Sequence, residues 1–159
     1  MPQVLETPLD TPDRIEEVHA NDQELPEDLE SVLVLGSLGG QCHEIANILS
    51  LTEDRVKEVR LELEDFFRVT NVAAATHRAI QTGKLPIARR QEAGPRLTEH
   101  QARALGYIAN GLNNRQMGEK FHKDPRTVKY NIVRPLVAKL EARNKSHLVR
   151  LGHEFGQLT

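Results

Sequence analysis

Arg126, Lys129, Tyr130 and Arg134 recur at three- or four-residue spacing in "DPRTVKYNIVRP", the stretch that begins at Asp124. On a helix that spacing gathers them on one side. Arginine and lysine presented this way address O6 and N7 of guanine in a duplex major groove. Tyr130 suits a phosphate or a thymine methyl, and an aromatic there also suits packing at a helix rim. Upstream, Asn113, Asn114 and Arg115 crowd the start of a second helical segment, where free backbone amides and the positive dipole end favour an anion. Asn113 serves equally well as a plain helix cap. Lys123, Thr127 and Lys145 complete the phosphate-contacting candidates, with Arg143 a weaker one. This is the chemistry of binding, with phosphate contacts setting register and base-edge contacts setting preference.

Bond-making chemistry finds no such support. The seven histidines show no metal-ligand spacing with cysteine or carboxylate partners. His43-Glu44 lacks the second histidine of a zinc helix. Gly36, Gly39 and Gly40 precede a helix without the Lys-Ser or Lys-Thr of a phosphate loop. No nucleophile–base pair emerges, so the expectation is a non-enzyme with no cofactor and no metal.

The elements that must position these side chains are legible from caps and spacing. Thr98 with Gln101 forms a capping box, followed by an apolar stripe of Ala102, Leu105, Ile108 and Ala109 and a stop at Gly111. Asn113 with Gln116 repeats the capping logic for a short helix bearing Met117 and Phe121. Asp124 caps a third helix, Pro125 fits its first turn, and Val128, Ile132, Leu136 and Leu140 face inward. Asn144 or Ser146 opens a fourth helix carrying Leu148, Leu151 and Phe155. Strand-like alternation is absent, and the expected fold is all-α.

Charge is divided unevenly along the 159 residues, whose formal net charge is −2. Residues 1–24 hold one basic and seven acidic side chains, and residues 89–159 hold fourteen basic and six acidic ones. A basic final portion attracts polyanions. Residues 1–24 have too few large apolar groups to offset their ordering entropy and are expected to be a disordered acidic tail. Hydrophobic residues make up 38% and tryptophan is absent, which suits small helical cores better than one large one. The single cysteine, Cys42, excludes an internal disulfide, suits a reducing compartment and reads as a small, at least half-buried side chain. No apolar run is long enough to span a membrane and the acidic start is no signal peptide, so a cytoplasmic location is expected.

Residues 83–96, "GKLPIARRQEAGPR", break the helical spacing with two glycines and two prolines, and read as a linker or an extended connection. The flanking segments, 25–82 and 97–159, look like copies. Leu33 answers Leu105, Gly39 answers Gly111, and Val56-Lys57 answers Val128-Lys129 at an offset of 72; Asn71 answers Asn144 at 73.

Leu97-Thr98, Gly111-Leu112-Asn113-Asn114, Arg126-Thr127-Val128-Lys129, Lys139-Leu140 and Arg143-Asn144-Lys145 resemble the LuxR/GerE-type helix-turn-helix over residues 97–152. Region 4 of bacterial sigma factors is similar in less detail. The resemblance implies a bacterial transcription regulator with a four-helix DNA-binding unit. Its third helix reads the major groove, its second braces the backbone, and its fourth commonly makes a dimer contact. Two departures stand out. One residue more than the usual pattern lies between Val128-Lys129 and Lys139-Leu140, and Pro135 falls within that stretch. A bulge or kink would absorb both. No recognisable receiver or autoinducer-binding domain precedes the motif; a weaker copy stands there instead.

That copy has Gln41-Cys42 where the other has Asn113-Asn114, and its third helix carries Glu53, Asp54, Glu58, Glu62, Glu64 and Asp65. Carboxylates repel phosphate, so Arg55, Lys57 and Arg60 are expected to be solvated ion-pair partners. Residues 25–82 then suit a second regulatory protein, as an anti-activator or co-regulator does, while 97–159 suit duplex DNA. The fourth helices, 71–80 and 146–156, would pair within the chain as a pseudo-dimer or between chains as a homodimer through Leu148, Leu151 and Phe155. Alternatively, those apolar groups complete each unit's own core.

Overall fold

The computed structural model describes residues 23–159; most of the expected acidic tail, 1–24, lies outside them. Among the described residues every regular element is helical and no strand forms. The order is α1 (Glu27–Ser37), α2 (Cys42–Leu49), α3 (Glu53–Phe67), α4 (Val72–Gln81), α5 (Glu99–Ala109) and α6 (Asn114–Phe121). A continuous rod follows, made of α7 (Pro125–Thr127), a π-helical segment (Val128–Val133) and α8 (Arg134–Leu140), and α9 (Lys145–Glu154) closes the order.

Helix boundaries recur at fixed spacing. α1 and α2 start and stop 72 residues before α5 and α6, and Glu53 precedes Pro125 by the same interval. From the end of that third helix onward the interval is 73: Phe67 to Leu140, Val72 to Lys145, Gln81 to Glu154. The extra residue is taken up in the π-helical segment, where the Arg134 amide donates to Lys129 O, five residues back. Such a widened turn is the bulge expected from the extra residue, and Pro135, which has no amide to donate, falls at the segment's end. Val128, Ile132, Leu136 and Leu140 are all buried, as the spacing requires, and Val133 joins them. Left-handed residues recur on the same spacing: Gly39 and Gly111, Ser50 and His122, Arg68 and Glu141.

The expected caps form. Thr98 and Gln101 make a reciprocal box, as do Asn113 and Gln116, and Asp124 accepts from the Arg126 amide at 2.8 Å. Asn144, and not Ser146, caps α9. Leu105, Ile108 and Ala109 of the expected α5 stripe are buried, whereas Ala102 is exposed and Ala104 is buried in its stead. Gln101 belongs to the buried side because its Oε1 accepts both the Thr98 amide and the Lys139 ammonium, the latter at 2.8 Å.

Two cores lie side by side. One joins α1 to α4 around Leu33, Ile45, Val59 and Leu63, closed by Leu85 from the connection. The other joins α5 to α9 around Leu105, Met117, Val128, Leu136 and Leu148, and takes in Ala73 from α4. α4 and α9 pack against each other, with His77 Nδ1 and His153 Nε2 2.8 Å apart at their crossing. The N-terminal caps of both helices reach across the joint. Asn71 Nδ2 donates to Gly111 O at 2.9 Å, and Asn144 Nδ2 donates to Gly40 O at 3.2 Å. Arg143 adds an ion pair to Glu44 at 3.0 Å.

Residues 83–96 connect the two sets of helices without a helix or strand of their own. The Arg90 amide donates to Glu154 O at 2.7 Å, its guanidinium pairs with the Glu154 carboxylate and lies 4.7 Å from the centre of the Phe155 ring. The chain is therefore strapped along the end of α9.

Candidate nucleic-acid interface

The Asp124 cap and Pro125 launch the rod that carries Arg126, Lys129, Tyr130 and Arg134. All four are exposed. The Arg134 guanidinium lies 4.5 Å from the centre of the Tyr130 ring and the Lys129 ammonium 5.5 Å from it. These cation–π contacts hold two long cationic side chains against one aromatic ring. Asn131, also exposed, shares this surface with them. Among the described residues none of Arg126, Lys129 or Arg134 forms an ion pair. Their charges remain available to an external anion.

α6 meets the rod through a tight turn. His122 takes the left-handed conformation and the Lys123 amide returns to Gly118 O at 2.9 Å. A Cβ on Gly118 would lie 2.6 Å from Lys123 O, so only glycine lets the helix approach its own turn this closely. Sequence reasoning passed over Gly118, since a glycine inside a helical run reads as a mere weak point. Arg115, His122, Lys123 and Pro125 border a hollow of about 530 Å³ along this turn. Arg115 and Lys123 are exposed there, next to the start of the rod.

The other expected phosphate contacts fare differently. Asn113 is exposed and caps α6, its Oδ1 accepting from the Gln116 amide at 2.9 Å. Asn114 is half-buried, with Oδ1 enclosed and without a hydrogen-bond partner among the described residues. Thr127 is half-buried beside Val128. Lys145 opens α9 next to Asn144 and is exposed, and desolvation by its surroundings lowers its pKa.

Leu148 and Leu151 are buried in the core of α5 to α9, and Phe155 packs on that core beneath Arg90. They complete the core of their own half. The face that α9 offers to α4 is made instead around His153, which meets His77. Burial first, then the positive charges of His153 and Arg78, pulls the His77 pKa down to about 4.

α3, at the place matching the rod, has a different surface. Arg55 is tied to Asp28 at 2.9 Å, Glu62 at 3.2 Å and Glu58 at 3.3 Å. The expected ion-pair role holds for Arg55. Lys57 and Arg60 form no ion pair among the described residues, Lys57 exposed and Arg60 half-buried. Asp54, Glu58 and Leu61 are exposed where the rod exposes Arg126, Tyr130 and Arg134. No helix among the described residues is long and apolar enough to cross a membrane. No family model, curated protein or solved structure matches this chain, so the geometry of its helices stands as the guide to what it does.

Proposed function

We propose that the chain is a sequence-specific transcription regulator that binds duplex DNA through residues 97–159 and reads the major groove with the helix starting at Pro125. The observation that carries this reading is the exposed cationic face around Tyr130. Among the described residues Arg126, Lys129 and Arg134 have no carboxylate partner, and a tight helix–turn–helix junction with Arg115 and Lys123 adjoins them. Arg126 and Lys129 address base edges. Arg115 and Lys123 hold the phosphates on either side of the turn. Residues 25–82 and 97–159 are two tandem four-helix units of one LuxR-like design, a reading supported by matched helix boundaries and matched left-handed turns. The α4–α9 packing makes them a pseudo-dimer with one DNA-competent face, suited to an asymmetric site and needing no second chain.

An electrophoretic shift titration at several salt concentrations tests the reading. Affinity should fall steeply with salt, with a logarithmic slope of roughly −0.9 per phosphate neutralised. Unchanged affinity and preference in Arg126→Ala and Lys129→Ala would remove the reading helix from the interface.

A second reading, a protein-interaction module borrowing the helix-turn-helix fold, is favoured by the carboxylates that surround Arg55 on α3. Absence of any DNA binding at low salt selects it.

A further inference from the structure

The α1–α2 surface and the α5–α6 surface are built on helices of matching length, yet one is covered and the other is open. On α5–α6, Arg103 closes the surface. Its guanidinium lies 5.0 Å from the centre of the Phe121 ring and donates to the Tyr107 hydroxyl at 3.1 Å. His100 meets the same Phe121 ring edge-on at 5.2 Å, and Lys120 is exposed beside it. On α1–α2 the matching position of Arg103 is Ser31, too short to reach across. Val34, Leu35 and Leu49 are left as the floor of an open groove of about 520 Å³. A second hollow of about 240 Å³ continues it to Leu51. Ile48 stands at the rim with 64% of its surface exposed, where the other half has Lys120.

Charge completes the picture. Glu27 and Glu30 line the groove and make no ion pair among the described residues, while Asp28 turns to Arg55. An apolar floor with an exposed isoleucine and a carboxylate rim fits a helix whose apolar side enters the groove and whose flanks carry lysine or arginine. We propose that the α1–α2 groove docks a basic amphipathic helix from a partner protein. Residues 1–24 of the chain itself hold seven acidic side chains and one basic one, so the rim repels them. None of the groove residues lies in 97–159, so this docking stands or falls apart from DNA binding.

Methyl-resolved NMR on the full chain provides the test, with a synthetic helical peptide bearing leucines at i, i+3, i+4 and i+7 and lysines elsewhere. The expected result is saturable shifts at the methyls of Val34, Leu35, Ile48 and Leu49. Binding should weaken roughly tenfold or more in the Ser31→Arg/Ile48→Lys double variant, which copies the covered surface. Both positions border the groove rather than the core, and an unchanged melting temperature would confirm that the variant folds. Glu27→Lys with Glu30→Lys should weaken binding as well, and a peptide with serine in place of leucine should not bind. The proposal is overturned if the peptide fails to bind, if the shifts map to α3, or if the double variant binds as tightly as the parent. It is likewise overturned if, without peptide, the groove methyls contact residues 1–22 or shift with protein concentration. Those outcomes would seat the chain's own segment or a second copy there.

Discussion

Tyr130 organises the candidate reading face because the Lys129 and Arg134 cations both lie against its ring. Removing a base-reading cation forfeits about 1–3 kcal/mol of discrimination. Arg126→Ala and Lys129→Ala should therefore weaken binding to the preferred site much more than to random duplex. Lys123→Ala should weaken both alike and flatten the salt slope by about one; parallel salt titrations on the two duplexes check this. The sequence made these side chains visible through helical spacing and charge. It could not separate Asn113 from structural duty, because capping and phosphate binding use the same residue types at the same positions. Gly118 escaped notice because its role depends on the approach of Lys123 O, a contact across the turn.

His77 also belongs to the residue scale. In the folded chain it ionises only near about 4, well below the ordinary 6.5. Between those values the unfolded chain holds more protons, so stability falls as pH drops through this window and levels off below it. His153 and His147 are lowered in the same direction by burial. His77→Asn keeps a polar atom near His153 and loses the titration. Urea unfolding midpoints between pH 7 and about 4 should fall less steeply for that variant than for the parent.

At the scale of elements, the rod from α7 to α8 differs from α3 by one residue. Val56 to Phe67 spans the core face of α3, and Val128 to Leu140 spans that of the rod with one residue more. The π-helical segment reconciles the longer interval with the same buried role. Deleting Asn131, which is exposed, should close the widened turn and set Pro135 inside a regular helix, lowering stability by about 3 kcal/mol. It should also rotate Arg126 and Lys129 by about 100° relative to Arg134 and alter sequence preference, read in a binding-site selection. Gly118→Ala should destabilise by about 1–3 kcal/mol, measured by chemical unfolding. Helix starts were the most legible part of the fold, since Thr98, Asn113, Asp124 and Asn144 cap through local bonds. The first turn of α5 was less so, because Gln101 and not Ala102 turns inward there, its Oε1 accepting from Lys139 of a distant helix.

At the scale of the whole molecule, the halves share a joint that spacing alone left open between intra- and intermolecular pairing. Asn71 and Asn144 each cap a helix and reach a carbonyl of the opposite half. Asn71→Ala and Asn144→Ala should each lower stability by about 1–2 kcal/mol, moving one shared unfolding transition rather than one of two. The peptide link between the halves is then partly redundant. Residues 91–93 are exposed, whereas Arg90 before them is strapped to Glu154 and Gln157 after them donates to Pro95 O. A chain cut within 91–93 should behave as a two-piece assembly that co-elutes and dissociates only in denaturant. Separately expressed pieces should find one another and re-form the α4–α9 crossing, so the protein could be divided between two genes without losing its shape.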